Sequence, residues 1–221
     1  MSAETVSNDF QPIKPSDLIV YIEPLQEVAE AYAPVEESKY RRRWNAADRL
    51  DGAFGDLGIA ALNDLRQRSM YPLEGSLLPL GPDTDPKEVE NLNDKTEHEI
   101  VDLLFSNVSA SDKLGLNTKK ICKDQDQKPP LQDTPAQALS RIAIVFAGLR
   151  QLVDPPKEPL PMQIIVPKGQ ELAPFLAGEG FRSIVCLANG YELDLGRAVT
   201  ATVDGLMERI PGEHRDRIAP S

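Results

Sequence analysis

Ser183-Ile184-Val185-Cys186-Leu187-Ala188-Asn189-Gly190-Tyr191-Glu192-Leu193-Asp194-Leu195 is the stretch on which the fold class turns. The apolar run Ile184, Val185, Cys186 and Leu187 reads as a strand buried on both faces. Asn189-Gly190 follows, and Tyr191, Leu193 and Leu195 then alternate with Glu192 and Asp194. Asn-Gly between strand-like runs marks a type I′ turn, which needs positive φ at both central residues, so an antiparallel hairpin is predicted. Just upstream, Met162 to Val166 reads as a second buried-type strand and Gln170 to Ala177 as a short helix. About sixteen residues separate the strands, enough for a crossover and a parallel pair. A last helix carries Leu195, Val199, Val203, Leu206 and Ile210 on one face and stops at Pro211-Gly212, before a charged tail from Glu213 to Ser221.

Working outward, Pro155, Pro156, Pro159 and Pro161 form a rigid linker. Before it, Thr134-Pro135-Ala136-Gln137 combines an N-cap, a proline at the first helical position and a capping-box glutamine. It opens a helix through Leu139, Ile142, Val145, Phe146, Leu149 and Leu152. Residues 109 to 133 are polar, lysine-rich and aperiodic, and read as a long surface loop. Asp85-Pro86-Lys87-Glu88 starts another helix with Val89, Leu92, Thr96, Ile100 and Leu103 as its stripe, fraying near Asn107 to Ser109.

From Glu37 to Arg68, apolar residues recur every three or four positions as Tyr40, Trp44, Ala47, Leu50, Phe54, Leu57, Ala61 and Leu65. Gly52, Gly55 and Gly58 fall on this helix, either as a smooth strip for a close helix neighbour or as the point where it breaks. Residues 1 to 36 read as an extended arm punctuated by Pro12, Pro15, Pro24 and Pro34. Asp17 to Ile22 is its one strand-like run, and a short helix fits between Leu25 and Tyr32. The expected fold is therefore α+β: an extended arm over 1–36, a helical region with three main helices over 37–153, and a small α/β unit with a β-hairpin over 154–221, packed on the helical region as one domain.

Composition narrows the function. The 221 residues carry a net charge of −11, so their summed field repels phosphate backbones and favours basic protein surfaces over nucleic acid. Arg41, Arg42 and Arg43, and Lys113, Lys119, Lys120 and Lys123, are local exceptions. Neither group is interleaved with stacking aromatics, and both read as solvated faces. No apolar run of membrane-spanning length is evident, and the polar, acidic MSAETVSNDF lacks the basic-then-apolar order of a signal peptide. A cytoplasmic or particle-associated location is expected. Cys122 and Cys186 have neither metal-site spacing nor disulfide-scaffold density.

The chain has 2 histidines, too few for most triads and histidine-rich metal sites. Asp94, His98 and Asp102 lie four apart on one helix face, a geometry that can hold a cation, but that face is opposite the apolar stripe and reads as solvated. His214 belongs to a terminal charge cluster, and Cys186 to the middle of an apolar run, where a thiol is a small inert hydrophobe. Gly178-Glu179-Gly180 lacks the strand and the lysine of a phosphate loop and reads as a helix-ending turn. Pro167-Lys168-Gly169-Gln170 reads as a plain strand-to-helix turn.

No catalytic, cofactor-binding or metal-binding residue is assigned on these grounds, no cofactor is expected, and the balance lies against an enzyme. The expectation is a non-enzymatic structural or adaptor subunit of a larger assembly, of virion or phage-particle type, acting through its arm and long loops on other protein subunits. The alternative is a small enzyme or ligand-binding protein with its site at the strand ends near Lys168, Gly169 and Asn189.

Overall fold

The computed structural model describes residues 11–32, 46–47, 49–55, 86–155 and 166–209. Among them there is no strand. A 3₁₀ turn, Pro15–Leu18, leads into helix α1, Ile19–Tyr32, and residues 49–55 are helical. Then come α2 (Pro86–Lys113), α3 (Thr118–Gln125), α4 (Pro135–Val153), α5 (Leu172–Gly190) and α6 (Leu195–Arg209). The predicted α+β class is thus overturned in favour of an all-helical bundle. One apolar cluster, from Leu18 in the arm to Val199 in α6, runs through all of it.

The 183–195 stretch shows why. Residues 172–190 form one 19-residue helix instead of a short helix, a turn and a strand. This helix packs against α2, α3, α4 and the 3₁₀ turn, so it is enclosed on most sides. Leu176, Phe181, Ile184, Leu187 and Ala188 are essentially fully buried, and so are the small residues between them. A helix buried all round loses its polar face and reads as a continuous apolar run, the same pattern as an internal strand.

The Gly178-Glu179-Gly180 segment lies inside this helix and ends nothing. A Cβ on Gly178 would run into the Gln125 side chain, and one on Gly180 would come within 2.5 Å of Asn107 Oδ1. Both glycines therefore give α5 close access to α2 and α3. Asn107, where fraying was expected, is fully buried and donates through Nδ2 to the Ala177 carbonyl at 3.1 Å. Its serine neighbours satisfy themselves one turn back: Ser106 Oγ donates to the Asp102 carbonyl at 2.8 Å and Ser111 Oγ to the Asn107 carbonyl at 2.7 Å.

Asn189-Gly190 ends α5 in place of turning a hairpin. Glu192 N–H bonds the Asn189 carbonyl (3.2 Å) and Leu193 N–H the Ala188 carbonyl (3.0 Å), the pair of bonds that defines a Schellman stop. The left-handed residue is Glu192, at φ 53°, one of the few positions where a side chain is strained by backbone geometry. The alternating Tyr191, Leu193 and Leu195 thus belong to a helix–helix corner.

The predicted 109–133 loop is corrected as well. Here α2 continues to Lys113 and stops with Gly115 at φ 66°, with Gly115 N–H to Asp112 (2.8 Å) and Leu116 N–H to Ser111 (2.9 Å). Asn117 then caps α3, its side chain accepting from Lys120 N–H at 2.9 Å. In the arm, the strand-like Asp17–Ile22 run is helical because Leu18, Ile22, Leu25 and Val28, all fully buried, repeat at helical spacing. Burial of that stripe outweighs the β-branched preference of Ile19 and Val20, and α1 tolerates Pro24 inside it.

At the head of α4, Thr134 Oγ accepts from Gln137 N–H and the Gln137 side chain accepts from Thr134 N–H, a complete capping box. By length and composition α4 is apolar enough to cross a membrane, which the sequence reading missed. In this fold Leu139, Ile142, Phe146 and Leu149 are buried and its main neighbour is α5. Gly52 and Gly55 lie in helical backbone with open space around them, so no close neighbour uses them among the described residues. Met162 to Ile165 of the predicted strand, Gly58, Arg41–Arg43 and the 213–221 tail lie outside the described residues.

Two substitutions test this architecture by urea denaturation. Glu192→Gly relieves the left-handed strain and should stabilise the protein by about 1 kcal/mol, whereas a hairpin would show no gain at that position. Gly180→Ala should displace Asn107 and cost about 1–3 kcal/mol.

Candidate functional site

The N-terminal strap, residues 11–18, crosses the C-terminal half of α5. Asn189 holds it at two points: Ile13 N–H donates to Asn189 Oδ1, and Asn189 Nδ2 donates to the Ile13 carbonyl, both at 2.9 Å. One side-chain amide thus pairs with a residue's backbone donor and acceptor together, as a neighbouring strand would. Ser16 N–H adds a bond to Asp126 Oδ1 at 3.1 Å, tying the strap to the end of α3.

On the other side, residues 126–133 leave α3 and run along α5. Arg182 anchors them, with one guanidinium nitrogen on the Pro129 carbonyl (2.6 Å) and another on Glu179 Oε1 (2.9 Å). Lys128 Nζ reaches the same Glu179 oxygen at 3.2 Å. Glu179 is only 9% exposed, and two cations share its carboxylate, the pairing that a buried acidic group calls for. Farther along, Arg141 binds Asp133 through two nitrogens, at 2.8 and 3.3 Å.

Between the strap, this segment and α5 lies a cleft of about 210 Å³. Its walls include Ile13 and Pro15 on one side and Pro129, Pro130 and Leu131 on the other, with Val185, Cys186 and Asn189 contributed by α5. Lys14, Lys128 and Arg182 line it as cations, and Asp126 as a carboxylate. Gln125, also in the lining, is 6% exposed and its Oε1 accepts no hydrogen bond.

Of the residues singled out in the sequence, Cys186 and Asn189 meet in this cleft. Cys186 Sγ lies 3.5 Å from the Asp133 carbonyl and 3.7 Å from that of Leu131, and burial pushes its thiol pKa up. Glu179 sits just beneath, as the structural partner of Lys128 and Arg182. Lys168 and Gly169 do not join them: they form an exposed turn, with Gly169 at φ 85° and Gln170 N–H on the Pro167 carbonyl at 3.1 Å. With no strand described, the expected site at strand ends dissolves.

His98 is 61% exposed and lies 3.6 Å from Asp102, which also lies 3.7 Å from Arg49; the side chain of Asp94 is outside the described residues. Among the described residues no three His, Cys, Asp or Glu side chains converge as metal ligands would. Cys122 is fully buried on α3, and burial, followed by the Asp126 charge, pushes its thiol up to about 12. Lys119, Lys120 and Lys123 stand on the exposed face of α3, with Lys119 on Glu23 at 3.3 Å.

Sequence reasoning missed Lys14, Gln125, Asp126, Lys128 and Arg182 as neighbours. No motif announces them, because they come together only once α5 is recognised as one helix. No family model, curated protein or solved structure matches the chain.

The thiols give two measurable consequences. N-ethylmaleimide at neutral pH should label Cys186 slowly and Cys122 not at all in the folded chain, since the reactive thiolate is scarce at one and enclosed at the other. Because Cys122 has a higher pKa folded than unfolded, its contribution to stability is complete below about pH 9 and is lost as pH rises toward 12. Raised Tyr21 adds in the same direction. Urea midpoints should therefore fall through that alkaline window, and Cys122→Ala should flatten the decline.

Proposed function

We propose that this chain is a non-enzymatic adaptor or structural subunit of a protein assembly, and that it docks a segment of another protein in the cleft between its strap and the 126–131 segment. The observation that carries the proposal is the cleft itself, walled by the strap and the 126–131 segment. Its lining mixes proline and aliphatic surface with a few directed polar groups, the composition of a peptide-recognition surface. The nearby thiol is held protonated, and the carboxylate beneath the wall is committed to two cations, so these groups act as structure and recognition surface and not as nucleophile or base.

A virion or phage-particle role forms no part of this proposal. It rests on an arm and a loop that need neighbouring subunits for order, whereas residues 11–32 and 109–133 pack largely against this chain's own helices.

Site-specific photo-crosslinking tests the reading. Benzoylphenylalanine replacing Leu131, at the cleft, should give a discrete adduct with one partner protein in extracts of the native cells. The same probe replacing Thr200, exposed on α6, should not. Equal, diffuse labelling from both positions would remove the cleft as a docking site.

A further inference from the structure

Asn189-Gly190 is the one Asn-Gly pair in the sequence, and it stands where the N-terminal strap meets the end of α5. Packing accounts for both residues. Asn189 spends its side-chain amide on a single residue of the strap, accepting from Ile13 N–H through Oδ1 and donating to the Ile13 carbonyl through Nδ2, both at 2.9 Å. Gly190 is the last residue of α5, and a Cβ there would come within 3.1 Å of Pro135 Cγ. The glycine that this close approach favours is also the residue that least shields the preceding amide from its own backbone nitrogen.

An asparagine followed by glycine has a reaction of its own. The Gly190 nitrogen attacks Cγ of Asn189 and closes a five-membered imide; the Cγ–Nδ2 bond breaks, and ammonia leaves with the proton that the nitrogen gave up. One water then opens the imide, leaving aspartate or, when the backbone carbonyl is the one attacked, isoaspartate. One water is consumed and one ammonia released, with no change of oxidation state. Ring closure needs Cγ free to swing and a ψ that helical backbone does not have. In the closed fold neither condition is met, because Asn189 belongs to α5 and its amide is tied at both ends to Ile13. Yet the lock is slight. Gln11, Pro12 and Lys14 of the strap are exposed, Gly190 is open to solvent, and Asn189 is one residue from the helix end, where terminal turns fray.

We infer that Asn189 is a hydrolytic modification site, guarded by the strap against deamidation, and that its deamidation unlatches the strap. In the aspartate product an oxygen replaces Nδ2 and faces the Ile13 carbonyl, two acceptors with no proton between them. Isoaspartate adds a methylene to the backbone and displaces the carboxylate from the strap. Either product lacks the Nδ2 donor, so an opening long enough for the reaction is not followed by the same closure. The strap gives Ile13, Lys14 and Pro15 to one wall of the cleft, and its release removes that wall. Nothing in this inference depends on a segment docking there.

The test follows Asn189 in the full chain by peptide mass spectrometry during incubation at neutral pH. Asn107-Val108 and Asn117-Thr118 serve as internal references, since their β-branched neighbours hinder the ring. Asn189 should deamidate slowly in the folded chain and much faster in urea. Ile13→Pro removes the N–H that Oδ1 accepts and should speed the reaction at Asn189 alone by about fivefold, the worth of one hydrogen bond. Asn189→Asp, the aspartate product made directly, should speed hydrogen exchange at the Ile13 and Lys14 amides by a similar factor while the amides of residues 176–188 keep their protection. The naturally deamidated fraction, separated by anion exchange, should show the same loosened strap. Equal Asn189 rates in the folded and urea-unfolded chain, indifference to I13P, or strap exchange unchanged in N189D and in the deamidated fraction overturns the assignment.

Discussion

Enclosure of α5 is the constraint from which the rest of this structure follows. A helix surrounded by α2, α3, α4 and the strap must let several backbones come near, and side-chain size sets how near. Gly178 and Gly180 supply the two closest approaches, filled by the amides of Gln125 and Asn107. Both amides are then buried, and neither oxygen is hydrogen-bonded. At Asn107 the Nδ2 bond to Ala177 fixes the orientation, so the unpaired oxygen lies against the bare Cα of Gly180, where nothing larger fits. Close packing on both sides of α5 thus outweighs the cost of two under-used acceptors, each of order 1–3 kcal/mol.

The same constraint locates the cleft. With its middle enclosed, α5 meets the two segments that cross it through Arg182, Cys186 and Asn189 of its C-terminal half. Asn189 takes the strap by its backbone and Arg182 takes the 126–131 segment by a carbonyl. Both walls are therefore fixed by main-chain contacts, which leaves their own side chains free to vary around a constant frame. The proline pair 129–130 stiffens one wall without needing backbone N–H partners.

How much of this was legible in the sequence depends on how each signal arises. The capping box at Thr134 and the stripe of α4 are local and amphipathic, and they were read where the structure has them. The Gly115 stop and the Asn117 cap were equally local, but polar composition hid them within an apparent loop. In α5 the information was not local at all: the helical period is erased when every face is covered, and Asn-Gly suits a helix end as well as a hairpin turn. The strap failed for the opposite reason, because prolines and β-branched residues spoke for an extended chain while Leu18, Ile22, Leu25 and Val28 spoke for a helix. Only the presence of a core to receive that stripe decides between them. The candidate site was hardly legible, since its residues come from three segments whose meeting depends on α5.

Charge is arranged with the same economy. Among the described residues Glu179 is the buried carboxylate, drawn into the interface where the 126–131 segment meets α5. Removing either of its cations would leave a buried charge under-compensated, a loss of about 3–5 kcal/mol for a fully buried pair and less here because Lys128 is partly exposed. Lys128 and Arg182 are for that reason held in place whether or not anything occupies the cleft.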